Sequence, residues 1–157
     1  MSLIRITKVF TFEAAHALSG YDGPCRNIHG HSYELSVTII GEPESDISSA
    51  KNGMVLDFGD LKRIVKKNII DPFDHALVLG PGFQEEMKNL PPEACNNIRW
   101  VDYQPTSENM LIDFSKRISS LLPAQVKLHS LKLRETGTSF AEWYATDNLK
   151  KKEPLIN

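Results

Sequence analysis

The chain has 157 residues, 41% of them hydrophobic, enough to fill the core of one domain, and no apolar run reaches the length that spans a bilayer. Its 18 basic and 20 acidic residues leave a formal charge of −2, which gives no general attraction to nucleic acid or to a membrane surface. With no basic-then-apolar leader at Met1-Ser2-Leu3-Ile4-Arg5, and only two cysteines, Cys25 and Cys95, the expectation is a soluble, cytoplasmic protein with reduced thiols.

Ile4, Ile6, Phe10, Phe12 and Ala14 share one parity and Thr7, Thr11 and Glu13 the other, the alternation of a half-buried strand whose apolar face His16 continues. A second strand is predicted through Tyr33, Leu35, Val37 and Ile39, against Glu34, Ser36 and Thr38, and its inward parity extends back through His31 and His29. Residues two apart on a strand point the same way, so His29-Gly30-His31 offers two imidazoles to one ion, with His16 as a third from a neighbouring strand. From Leu61 the period changes. Leu61, Ile64, Val65 and Ile69 form a helical stripe with Asp57 or Asp60 as N-cap and Pro72 as its end, and the loop Asp74-His75 follows.

The stretch from Gly80 to Tyr103 is rich in Gly, Pro and Asn, with a short helix around Gln84-Glu85-Glu86-Met87 and an extended Arg99-Trp100-Val101; Cys95 within it reads as incidental. A second amphipathic helix starts after Pro105-Thr106-Ser107-Glu108, buries Met110, Leu111, Phe114, Ile118 and Leu121, and stops at Pro123. A third strand from Val126 to Glu135 puts Leu131, Leu133 and Glu135 on one face. A turn at Thr136-Gly137-Thr138 leads to a fourth through Phe140, Ala141 and Trp143. The predicted architecture is α+β: a four-stranded antiparallel sheet in the order ββααββ with two helices on one face. One domain is expected over 1–148, with 149–157, including Lys150-Lys151-Lys152-Glu153, a flexible tail.

A lone His-X-His arises by chance more often than it marks a metal, but three histidines on the inward faces of pairing strands match the three-ligand set of catalytic zinc, which keeps a fourth position for water or substrate. Cys25 lies in Asp22-Gly23-Pro24-Cys25-Arg26-Asn27, a polar setting unlike a core strand. Beside a cation, such a thiol ionises more readily and serves as nucleophile or base; otherwise it is structural. Asp74 is placed to orient His75 or stabilise its protonated form, although adjacent Asp-His pairs on loops are more often incidental. Glu135, on an apolar face, costs several kcal/mol to bury unpaired, roughly the penalty for ions removed from water. Two parallel N–H donors from a ligand would offset that cost, since Arg134 points to the opposite face.

Phe12-Glu13-Ala14-Ala15-His16, Cys25-Arg26-Asn27-Ile28-His29-Gly30-His31, Asp74-His75, Pro105-Thr106-Ser107-Glu108-Asn109 and Arg134-Glu135-Thr136 together resemble the 6-pyruvoyl-tetrahydropterin synthase superfamily, most of all its queuosine-pathway 6-carboxytetrahydropterin synthases. The short spacer between Cys25 and His29 looks like that branch; biopterin-pathway members carry a longer one, and a folate-pathway branch has Glu where Cys25 stands. The resemblance implies zinc on His16, His29 and His31, Cys25 as catalytic base with Asp74 and His75 handling protons, and Glu135, Thr106 and Ser107 binding substrate. It implies the tunnelling fold, an oligomeric barrel assembled as a homohexamer of two stacked trimers with sites between subunits.

The implied reaction converts 7,8-dihydroneopterin triphosphate to 6-carboxy-5,6,7,8-tetrahydropterin, acetaldehyde and triphosphate. The redox change is internal to the substrate, in keeping with the lack of a Gly-rich dinucleotide fingerprint. Arg26, Lys62 and Lys66 are candidate cations for the triphosphate. The alternatives are the pyruvoyl product, a zinc-containing pterin- or purine-binding module without catalysis, and hydration or hydrolysis by zinc-bound hydroxide, which leaves Glu135 and Cys25 without a task.

Overall fold

The computed structural model describes residues 2–87 and 96–149, so the expectations for Cys95 and for the tail from residue 150 onward lie outside the described residues. Strands β1 (Ile4–His16) and β2 (His29–Gly41) form a long antiparallel pair, with Ile4 opposite Gly41 and His16 opposite His29. The register brings Phe12, Ala14 and His16 of β1 onto the same face as Tyr33, Leu35, Val37 and Ile39 of β2, all buried. Alternation in both strands forces this pairing, because a slip of one residue would turn every apolar side chain to solvent.

Asp57 caps helix α1 (Phe58–Val65), its carboxylate accepting from the Gly59 N–H at 2.6 Å. The helical path does not end before Pro72. It continues through a wider π-type turn, Lys66–Ile70, into the short α2 (Asp71–Phe73), which carries Pro72 and ends at once after it.

The four-stranded antiparallel sheet expected from the sequence is corrected to six strands with mixed pairing. Strand β3 (Ala76–Leu79) runs parallel to β1 beside Ala14–His16, and after α3 (Gln84–Met87), β4 (Ile98–Trp100) pairs parallel to β3. All four residues of β3 are buried, so Ala76-Leu77-Val78-Leu79 has no alternation to betray it, as is usual for a parallel strand covered on both faces. Helix α4 (Ser107–Ser119) then leads to β5 (Val126–Arg134) and β6 (Phe140–Tyr144), and the order across the sheet is β4-β3-β1-β2-β5-β6.

The helices cover one face of the sheet. Leu61, Val65, Ile69 and Phe73 from the first helical run, and Met110, Leu111, Phe114 and Ile118 from α4, pack on Tyr33, Leu35, Val37, Ile39, Leu131 and Leu133. Phe73 and Phe114 meet edge to face at 5.0 Å, joining the two helical layers. Leu121, expected in this core, is 44% exposed because it lies past the last turn of α4. No helix among the described residues is long and apolar enough to cross a membrane.

Candidate functional site

Where the apolar inner face of β1 and β2 runs out, it ends in imidazoles. His16 stands directly across from His29, while His31 faces Ala14, whose small side chain leaves room for the ring. The rings are tilted or edge-on, with centroids 4.5 to 5.2 Å apart, and one nitrogen from each falls within 4.8 Å of the other two.

The hydrogen bonds behind the rings fix which nitrogens face the centre. His16 Nδ1–H donates to the Pro105 carbonyl at 2.7 Å and His29 Nδ1–H to the Asn27 carbonyl at 2.8 Å. A carbonyl only accepts, so each Nδ1 carries its proton and each neutral ring presents a bare Nε2 lone pair. Those two Nε2 atoms are 3.1 Å apart, and His31 Nε2 is buried with no hydrogen-bond partner among the described residues. Burial lowers the pKa of His16, partly opposed by its bond to Pro105 and by Glu135, and burial likewise lowers that of His31. Protonation of His16 and His31 is therefore disfavoured, and the three converging imidazoles could hold a metal ion.

Glu135, just past β5, points into the same place. Its Oε1 lies 3.6 Å from His16 Nε2 and 3.8 Å from His31 Nε2, and it accepts a hydrogen bond from the buried Tyr33 hydroxyl at 3.2 Å. Burial, and then the adjacent carboxylate, raise the Tyr33 pKa far above the usual phenol value, so the hydroxyl keeps its proton and remains the donor. Arg134 faces the other side of the sheet, where it pairs with Glu34 at 3.6 Å.

A cavity of about 440 Å³ opens over this cluster and is lined by all three histidines, Cys25, Glu135, Thr106 and Ser107. Cys25 is half-buried in the single turn Pro24–Arg26 that bridges β1 and β2. The Thr106 hydroxyl is engaged in capping α4, accepting from the Asn109 N–H at 3.3 Å, whereas Ser107 Oγ is buried with no hydrogen-bond partner among the described residues. Neither Lys62 nor Lys66 lines the cavity, and Lys66 is paired with Asp71; Arg26 sits beside Cys25 and is exposed.

Asp74 and His75 are not brought to this cavity. They occupy the turn before β3, where His75 lines a different depression of about 580 Å³ with Glu13, Ser32 and Asn97. His75 Nδ1 is 3.1 Å from Asp74 Oδ1, and the Glu13 N–H bond to that same oxygen, its largest cause, holds the Asp74 carboxyl below its ordinary pKa. His75 adopts φ 58°, a left-handed conformation uncommon for a residue with a side chain.

Sequence reasoning missed Tyr33, although it shares the parity of His29 and His31, and it missed the carbonyls of Pro105 and Asn27, which carry no residue-type signal.

The family model for 6-pyruvoyl tetrahydropterin synthase matches residues 5–146, and the chain belongs to that family. A Haemophilus influenzae protein named 6-carboxy-5,6,7,8-tetrahydropterin synthase is 38% identical over 143 residues, covering 90% of this chain and 99% of the relative. A Pyrococcus furiosus protein named dihydroneopterin monophosphate aldolase is 31% identical, covering 88% of this chain and 97% of that one. The solved structure of 6-pyruvoyl tetrahydropterin synthase from Caenorhabditis elegans superposes with a TM-score of 0.64 at 26% identity, covering 92% of this chain and 96% of that chain.

Proposed function

We propose that this member of the family is a zinc-dependent lyase, a 6-carboxy-5,6,7,8-tetrahydropterin synthase acting on 7,8-dihydroneopterin triphosphate in queuosine precursor synthesis. The observation that carries the reading is the single cavity in which three imidazole lone pairs, the Cys25 thiol and the Glu135 carboxylate meet. His16, His29 and His31 would hold the zinc, which when bound supplies a Lewis acid that acidifies the hydroxyls of the substrate side chain.

The protein's own groups do the rest. Cys25, as thiolate, removes a proton from the substrate carbon beside those hydroxyls and the electron pair left behind expels triphosphate. Water then adds to the side-chain carbonyl next to the ring and the bond to the next carbon breaks, leaving the carboxylate on the pterin and the other two carbons as acetaldehyde. Glu135 accepts two hydrogen bonds from the ring N–H and exocyclic amino group of the pterin, with the Tyr33 hydroxyl holding one of its oxygens. Ser107 Oγ supplies a free hydrogen-bonding group at the cavity wall, and Thr106 shapes that wall by holding the start of α4. Asp74 and His75 act as the proton relay.

Because His75 lines another depression of the same chain, the relay serves the cavity of a neighbouring copy, in a homo-oligomer built as a dimer of trimers. The short tether from Cys25 to His29 limits which carbon the thiolate reaches, and so favours the carboxy product over the pyruvoyl one.

Zinc-loaded protein incubated with 7,8-dihydroneopterin triphosphate, with no redox cofactor, is expected to yield 6-carboxytetrahydropterin by mass spectrometry, with one acetaldehyde per turnover. 6-Pyruvoyltetrahydropterin as the sole product would reassign the branch. No turnover of the triphosphate, with cleavage of dihydroneopterin monophosphate instead, would favour the aldolase activity named for the Pyrococcus relative.

A further inference from the structure

The short tract from Gln104 to Ser107 contributes to the cavity in several ways. The Pro105 carbonyl orients His16, Thr106 caps α4, and Ser107 lines the cavity wall. Gln104 opens the tract and grips the loop that carries the cysteine. Its side-chain Nε2–H donates to the Ser19 carbonyl at 2.8 Å, and its Oε1 accepts from the Ser19 N–H at 3.1 Å. Both backbone groups of one loop residue are thus satisfied by a single amide, which fixes that residue in position and orientation.

The grip is anchored at both ends. On the helix side, the Gln104 carbonyl accepts from Asn109 Nδ2 at 3.0 Å and from the Thr106 N–H at 2.8 Å, so its backbone is tied to the first turn of α4. On the loop side, the next residue back, Leu18, donates its N–H to the Cys25 carbonyl at 3.0 Å. Ser19 is also wedged from behind: a Cβ at Gly82 would lie 2.1 Å from its Oγ, so the turn at Pro81–Phe83 closes on it with no space for a side chain. The path from α4 to Cys25 therefore runs through one amide side chain and one hydrogen bond within the β1–β2 loop. At its far end the same loop is pinned by the Asn27 carbonyl on His29.

We propose that Gln104 is a positioning residue for Cys25: it holds the Leu18–Ser19 segment, and through it the cysteine, at a fixed place over the three-histidine centre. The inference rests on the reading of Cys25 as the proton-abstracting group. Gln104 does not line the cavity. Its effect is on the distance and direction of the thiol, to which a proton transfer is steeply sensitive.

The test compares Gln104→Met, which keeps the length and packing of the side chain but makes neither hydrogen bond, with Gln104→Glu, which keeps only the acceptor, and with Cys25→Ala. The readouts are zinc content, steady-state kinetics, and hydrogen exchange at the Ser19 amide. Gln104→Met is expected to retain zinc and a KM within about twofold of the parent, while kcat falls about 10- to 100-fold and the Ser19 amide exchanges faster; Gln104→Glu, which sets a carboxylate oxygen against the Ser19 carbonyl, should lower kcat at least as far.

A purely structural role would lower zinc content or raise KM along with kcat, and that pattern overturns the proposal. So does unchanged kcat in Gln104→Met when Cys25→Ala is inactive, an outcome that leaves the role of Cys25 standing. Turnover surviving in Cys25→Ala would overturn the reading beneath it, and this inference with it.

Discussion

The three-histidine cluster and the Asp74-His75 turn both hang on the last residues of β1, yet they are built in opposite ways. The cluster is the end of an apolar face: His16 is 3% exposed, its ring is set by register and a backbone carbonyl, and all three imidazoles come from the same chain. The turn is a surface feature whose imidazole is 77% exposed and whose backbone is bent into a left-handed conformation. What holds it is main-chain bonding. The His75 N–H donates to the Glu13 carbonyl at 2.6 Å, Asp74 accepts from the Glu13 N–H, and Asn97 Nδ2 donates to the His75 carbonyl at 3.1 Å. A strained and exposed imidazole, secured by three bonds, is costly to maintain for its own fold. It makes physical sense as a group offered outward, while the inward-facing cluster is a receptacle.

The contrast is sharpest if one residue is removed from each region. His31→Ala should abolish stoichiometric zinc binding and turnover together, a larger loss of affinity than the about 10- to 100-fold that follows from deleting a partner of a metal ligand. His75→Ala should leave zinc content and melting temperature near those of the parent while kcat falls about 10²- to 10⁴-fold, the usual worth of a positioned acid or base. Metal analysis beside initial rates separates the two. Loss of zinc in His75→Ala would mean the regions are not independent.

A smaller effect is expected at the boundary of the cluster. Glu135→Gln places an NH₂ group against a donor of the ligand and should weaken substrate binding by about 1–3 kcal/mol with zinc content unchanged, as read by titration calorimetry with a pterin. Equal affinity for parent and variant would remove Glu135 from the site.

The smallest concerns protons. His16 and His31 have folded-state pKa values lowered below 6.5 by burial, so above that pH both folded and unfolded chains are neutral there and no pH dependence arises from them. Below it the unfolded chain binds protons that the fold excludes. The stability of the metal-free protein should therefore fall as pH drops from 6.5 toward the folded values, and level off beneath them. Thermal melts with a chelator should show this slope, reduced in His16→Gln; a slope of the opposite sign would mean the imidazoles are charged in the fold.

The cluster was legible in the sequence because strand parity is a strict code: His16, His29 and His31 follow Phe12, Tyr33 and their neighbours onto one face, and the register follows from the same alternation. The position of Asp74 and His75 was not legible, for it depends on β3 and β4. Ala76-Leu77-Val78-Leu79 is buried throughout and shows no period, and β4, Ile98–Trp100, is too short to show one. Glu135 was found from its parity with Leu131 and Leu133. Its partner Tyr33 was read only as a core residue, because an aromatic on an apolar face gives no sign that its hydroxyl is engaged. The bonds from Pro105 and Gln104 depend on loop paths that local pattern does not encode.

The proposed division into a receptacle on one subunit and a relay from another is tested most directly by mixing two inactive proteins. Cys25→Ala and His75→Ala are dissociated, combined in equal amounts and reassembled, with native mass spectrometry confirming oligomers that contain both chains. A site works when the thiol comes from a His75→Ala chain and the relay from a Cys25→Ala chain, so random assembly should restore about a quarter of the parent activity. Mixed oligomers that remain as inactive as their components would contradict a site shared between subunits.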